Sequence, residues 1–152
     1  MKSLDQWFDE YAVSHQNRTN QKIHYLCVPA IFFSIVGMLM SIPTTTLQSL
    51  FGLGNPLIEN WATVLLVFVL AFYLRLSVIM FLKMLLFSAI CVVGNYYLGQ
   101  LVPLFYASLT IFVLAWIGQF YGHKLEGKKP SFMKDLQFLL IGPAWVFEKL
   151  LK

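Results

Sequence analysis

A chain of 152 residues that is 59% hydrophobic and 12% charged, with a mean hydropathy of +0.70, is too apolar for a soluble domain. It reads as a single integral membrane domain, 1–152, because about 150 residues leave no room for two. The net charge of +4 follows membrane topology, and fourteen Phe suit lipid contact better than a nucleic-acid groove, so no nucleic-acid partner is expected.

Residues 3–15, SLDQWFDEYAVSH, are predicted as an amphipathic helix. Ser3 is its N-cap and Asp5 lies in its first turn. Leu4, Trp7, Phe8, Tyr11 and His15 share one stripe, which puts His15 on the buried or membrane-facing side. No signal peptide is expected, because Met1 to Lys22 is polar and amphipathic and the first apolar run begins too late. That run forms a first span at about 25–42, with Pro29 near its start.

Residues 43–60, PTTTLQSLFGLGNPLIEN, read as a loop without Lys or Arg. From Pro56 to Leu98 the chain is almost continuously apolar, about twice as long as a bilayer core if helical. It must fold back, and Arg75 to Ser77 is the place, which gives spans at about 58–74 and 78–98. Gly99 to Pro103 turns the chain again, and a fourth span runs over about 104–122. After EGKKPS, Ser131 caps a C-terminal helix bearing Phe132, Leu136, Leu139 and Leu140, which Pro143 interrupts. Its apolar part is too short to span, so it reads as interfacial or re-entrant.

The expected fold class is therefore an all-α integral membrane protein. It has four transmembrane helices, an N-terminal amphipathic helix and a C-terminal interfacial or re-entrant helix. With the N-terminus in the cytoplasm, this topology places all eleven basic residues on or near the cytoplasmic side. They are Lys2, Arg18, Lys22, Arg75, Lys83, Lys124, Lys128, Lys129, Lys134, Lys149 and Lys152, of which Lys83 must snorkel from within the third span. Both termini face the cytoplasm, in a bacterial inner membrane or the endoplasmic reticulum.

An even number of spans brings the start of the first and the end of the fourth to one face. His15, His24 and His123, the three histidines of the chain, are then at one depth. In one straight helix His15 and His24 would point roughly 180° apart. A break in the weakly helical QNRTN between them lets them converge. The reading is a metal site made of His15, His24 and His123, since ionisable groups at membrane positions are functional candidates. Neutral imidazoles suit Fe(II), Zn(II) or Cu(II), and the residues alone leave the three open. Gln119, His123 and Glu126 share a helix face, and Asn20 is one turn from His24. Glu126 can bind the metal or orient a ligand imidazole, and orientation is the favoured role. Gln119 and Asn20 are assigned hydrogen-bonding roles toward substrate, O₂ or His24. Gly118 and Gly122 form a GxxxG spacing that lets another helix approach. Three histidines cannot supply the multiple HxxH boxes of a diiron hydroxylase. GxSxG, HExxH and phosphate-loop motifs are missing from the sequence. Cys27 and Cys91 read as small buried hydrophobes.

YAVSHQNRTNQKIHYLCVP, WIGQFYGHKLEGKKPS and LIGPAWVFEKLL together resemble the signatures of the small membrane-bound 2-hydroxy fatty acid dioxygenases, whose yeast member acts in phytosphingosine breakdown. Cys27 and Val28 depart from a common glycine, and Ser131 from the usual alanine; neither change touches a proposed ligand. The resemblance implies Fe(II) as cofactor, with 2-hydroxy fatty acid and O₂ as substrates drawn from among membrane lipids. The reaction it implies is α-oxidation to a fatty acid one carbon shorter. Two other classes remain as alternatives: a non-catalytic membrane lipid-binding or scaffold protein, and a zinc-dependent lipid hydrolase.

Overall fold

The computed structural model describes residues 2–127 and 136–150. Those residues form seven helices and no strand. The expected cap at Ser131, the apolar Phe132, and Lys128, Lys129, Lys134 and Lys152 lie outside the described residues.

α1 spans Leu4–Ala12. Ser3 and Gln6 form a reciprocal capping box, each side chain bonded to the other's backbone amide, which satisfies two of the donors a helix start leaves open. The helix ends three residues before the predicted 15. It resumes as α2, Arg18–Met40, where the Asn17 side chain accepts from the amides of Thr19 and Asn20 as an N-cap does. α2 continues through Pro29.

The predicted 43–60 loop contains a short helix, α3, Thr45–Phe51, which Gly52 closes at φ 60 in the left-handed region that favours glycine. α4 is Trp61–Leu76, with Asn60 accepting from the Thr63 amide at its start. The fold-back falls where expected. Ser77 is extended, ends α4, and caps α5, Val78–Leu101, through the Met80 amide. α6 is Leu104–Glu126, four residues longer than the predicted span, and Gly127 at φ 69 follows it. α7 is Leu136–Leu150 and passes through Pro143, where the sequence predicts an interruption.

α2, α5 and α6 are long and apolar enough to cross a membrane. α4 is apolar but has only 16 residues, about 24 Å of helix against a hydrocarbon core of about 30 Å. Outward-facing side chains on these helices include Phe68, Ile79, Leu86, Ile90 and Ile117, all more than half exposed, a surface suited to lipid rather than water.

The chain divides into two compact units, residues 1–32 with 113–152, and residues 33–112. In the second unit α4 packs on α5 through Ala62, Leu66, Val69 and Tyr73, facing Met80, Met84, Ser88 and Cys91. In the first unit α1 packs on α7, where Trp7 meets Phe138 edge-on at 5.7 Å. Ile141, Ala144, Trp145 and Val146 of α7 are buried there.

Candidate metal centre

The break between α1 and α2 is what builds the centre. At the end of α1 the chain tightens, with Ser14 and His15 amides donating to the Tyr11 and Ala12 carbonyls. The exposed Gln16 and Asn17 amides then donate to the two oxygens of Glu126 on α6, both at 2.8 Å. Asn20 adds a third donor to Glu126 at 3.0 Å. One carboxylate thereby clamps the connection and the first turn of α2 to the end of α6. Such charge-assisted bonds are the stronger kind.

His15 leaves the break inward and is 1% exposed, while His24 on α2 is 1% and His123 on α6 is 3% exposed. Their ligand nitrogens all lie within 4.8 Å of one another. The rings meet edge to face, with centroids 4.4 Å apart for His15 and His24, 4.9 Å for His24 and His123, and 5.0 Å for His15 and His123.

Backbone carbonyls fix the tautomers. His15 Nδ1 lies 2.7 Å from the Tyr11 carbonyl, and His24 Nδ1 lies 2.9 Å from the Asn20 carbonyl. A carbonyl only accepts, so each Nδ1 carries the proton and each Nε2 presents a lone pair. His15 Nε2 is buried without a hydrogen-bond partner, as is His123 Nδ1. His24 Nε2 is 3.2 Å from His123 Nε2. Two nitrogens that each reach one ion at about 2.1 Å are roughly 3.0–3.4 Å apart, so this pair fits a shared metal. Burial lowers the His15 pKa below its ordinary 6.5, which keeps the imidazole neutral and able to ligate at neutral pH.

The three polar residues singled out beside the histidines are all close by. Gln119 is buried on α6, one turn before His123. Asn20 is fully buried, and its backbone carbonyl holds His24 while its side chain reaches Glu126 and the Ser14 carbonyl. Glu126 has its oxygens engaged by the Gln16, Asn17 and Asn20 donors. Gly118 and Gly122 are where α2 approaches α6: a Cβ on Gly122 would come within 2.5 Å of Asn20 Oδ1, and one on Gly118 within 2.7 Å of Cys27 Sγ.

Sequence reasoning missed the aromatic cover. Tyr11 stacks on His15 with centroids 4.1 Å apart and planes 9° from parallel. Trp145 of α7 packs across Tyr11 at 5.4 Å and His15 at 5.6 Å. Gly142 makes room for this, since a Cβ there would meet the Tyr11 hydroxyl at 3.0 Å. Full burial raises the Tyr11 pKa, so the phenol stays protonated. The apolar stripe of α1 and the "GPAW" segment carried that signal, but nothing in a single sequence pairs them.

The family described as Mpo1-like, 2-hydroxy-palmitic acid dioxygenase Mpo1-like, matches the chain over residues 1–152. The chain belongs to this family. No curated protein and no solved structure is significantly similar to it. The family's name suggests dioxygenase chemistry on a 2-hydroxy fatty acid, and the buried three-histidine cluster could hold a metal.

Proposed function

We propose that the protein is an Fe(II)-dependent dioxygenase that converts a 2-hydroxy fatty acid and O₂ into the fatty acid one carbon shorter, CO₂ and water. The observation that carries this reading is the convergence of three buried imidazoles, two of them held by carbonyls so that Nε2 presents a lone pair, in a chain whose whole length matches a family named for this activity. His15, His24 and His123 would hold the metal, with Tyr11 and Asn20 carbonyls orienting the first two rings. Bound Fe(II) supplies the affinity for O₂ and for the adjacent carboxylate and hydroxyl oxygens of the substrate. The substrate provides the electrons, so the reaction balances without a further reductant. Neutral ligands suit an anionic substrate, because they leave the positive charge of the metal undiminished. Gln119, buried one turn before His123, would hydrogen-bond substrate or O₂. Tyr11 and Trp145 exclude water from the His15 face. Zinc as the resident metal would turn the reading toward a lipid hydrolase.

The reaction is tested by loading the purified protein with Fe(II) without air, then adding O₂ and 2-hydroxypalmitic acid. A C15 acid identified by mass is the expected product; a fully iron-loaded protein that leaves the substrate intact would refute the activity.

We further infer four spans, α4 being the short one, with both termini and the centre on the cytoplasmic side. Support comes from the one-sided basic residues and from a 43–60 segment without any. Cysteines placed in 43–60 should be labelled from outside intact cells or spheroplasts; labelling from the cytoplasmic side alone would overturn the topology.

A further inference from the structure

Residues 43–60, between α2 and α4, carry one charged side chain, Glu59. It is 4% exposed, and its oxygens accept from the Leu53 and Gly54 amides at 2.9 and 2.7 Å. The charge of the segment is thus turned inward and met by backbone donors. The apolar side chains do the reverse. On α3, Leu47, Leu50 and Phe51 share one face through i, i+3 and i+4 spacing. Leu47 is buried, so this face points at the protein, yet Leu50 and Phe51 beside it are more than half exposed. Leu53 and Ile58 are more than half exposed as well. Thr45 and Ser49 occupy the opposite face. A loop standing in water shows its charge and hides its apolar groups; this one does the opposite.

The segment is also closed on itself. Trp61 Nε1 donates to the Pro43 carbonyl at 3.1 Å, and the Asn60 side chain donates to the Pro56 carbonyl at 2.9 Å. Its apolar side chains are therefore presented ready-made, and little ordering entropy is lost when they are covered. What covers them follows from α4, which begins at Trp61, directly after the segment. With 16 residues α4 falls about 6 Å short of the hydrocarbon core. An element lying in a bilayer interface buries its apolar face by about 5–10 Å, which matches the shortfall.

We propose that residues 50–58 lie in the headgroup–acyl boundary of the leaflet at which α4 begins, with lipid covering Leu50, Phe51, Leu53 and Ile58. The segment completes a crossing that α4 alone is too short to make. This rests on the reading that α4 spans the membrane. It is independent of the histidine centre and of which side of the membrane the segment occupies.

Spin labels on the full-length protein test it. In a Cys27→Ala, Cys91→Ala background, single Thr45→Cys, Ser49→Cys, Phe51→Cys, Leu53→Cys and Phe68→Cys variants carry a nitroxide in liposomes of phosphatidylethanolamine and phosphatidylglycerol. Collision with O₂, which concentrates in lipid, is compared with collision with a water-soluble nickel chelate present on both sides. Loss of nickel collision with O₂ collision retained is expected at 51 and 53, as at 68 in the middle of α4, while 45 and 49 keep nickel collision. Nickel collision at 51 and 53 equal to that at 45 and 49, with 68 protected, places the segment in water and overturns the proposal while leaving the span intact. Loss of both collisions at 51 and 53 means that protein, such as a second copy, covers them, and overturns it too. Nickel collision at 68 shows that α4 does not cross, and the span and the proposal fall together.

Discussion

The chain contains two helix breaks that do opposite things. At Ser77 a single extended residue separates α4 from α5, and the Ser77 hydroxyl caps the helix that follows. The two helices then pack through aliphatic and sulfur-containing side chains. Between α1 and α2 the break covers residues 13–17 and is held by bonds from outside it, with Glu126 taking the Gln16 and Asn17 amides. The first break needs only local chemistry and serves to reverse the chain. The second depends on a carboxylate 109 to 110 residues away and serves to turn one histidine inward. A functional junction is thus one whose hydrogen bonds are long-range, because only long-range bonds can fix a side chain against partners on another element.

The difference can be broken at either end. The largest effect is expected at the histidines themselves. Replacing His15, His24 or His123 singly with Ala should abolish product formation while membrane insertion, read by fractionation, is unchanged; an active His15→Ala protein would remove that residue from the centre. Next comes the clamp. Glu126→Gln keeps the shape but gives up the charge and one acceptor, so iron affinity should fall about 10–100-fold, as is typical when groups that orient ligands are altered. Titration with Fe(II) under anaerobic conditions reads this directly. Complete iron loss in Glu126→Gln would make Glu126 a ligand, whereas unchanged affinity would make the clamp irrelevant to the centre. The smallest effect belongs to the other break. Ser77→Ala should cost about 1 kcal/mol of stability through the lost cap and leave iron affinity as it was. A change in iron affinity there would erase the distinction between the two junctions.

How much of this was legible in the sequence follows from the same distinction. The Ser3 cap, the fold-back near Ser77 and the apolar helices are local matters of capping and composition, and they appear where the residues place them. The convergence of the three histidines followed from counting spans, together with the weak helicity of QNRTN. The continuous stripe of Leu4, Trp7, Phe8, Tyr11 and His15 predicts one helix over 3–15, whereas α1 ends at Ala12, three residues earlier. Asn17, a good N-cap residue, is the cue to the start of α2. α3 lies in a Pro-, Thr- and Gly-rich stretch whose composition favours a loop, and α7 passes through Pro143, which composition alone marks as a helix breaker. The aromatic cover of Tyr11 and Trp145, and the use of Glu126 on backbone and Asn20 donors, depend on contacts between distant segments, which neither periodicity nor spacing encodes.

The central claim is that three neutral imidazoles hold one Fe(II). Metal analysis of protein purified and reconstituted without air, compared with the His24→Ala variant, tests it most directly. About one iron per chain in the parent and none in His24→Ala is the predicted result; zinc in place of iron, or iron retained in full by His24→Ala, would contradict it.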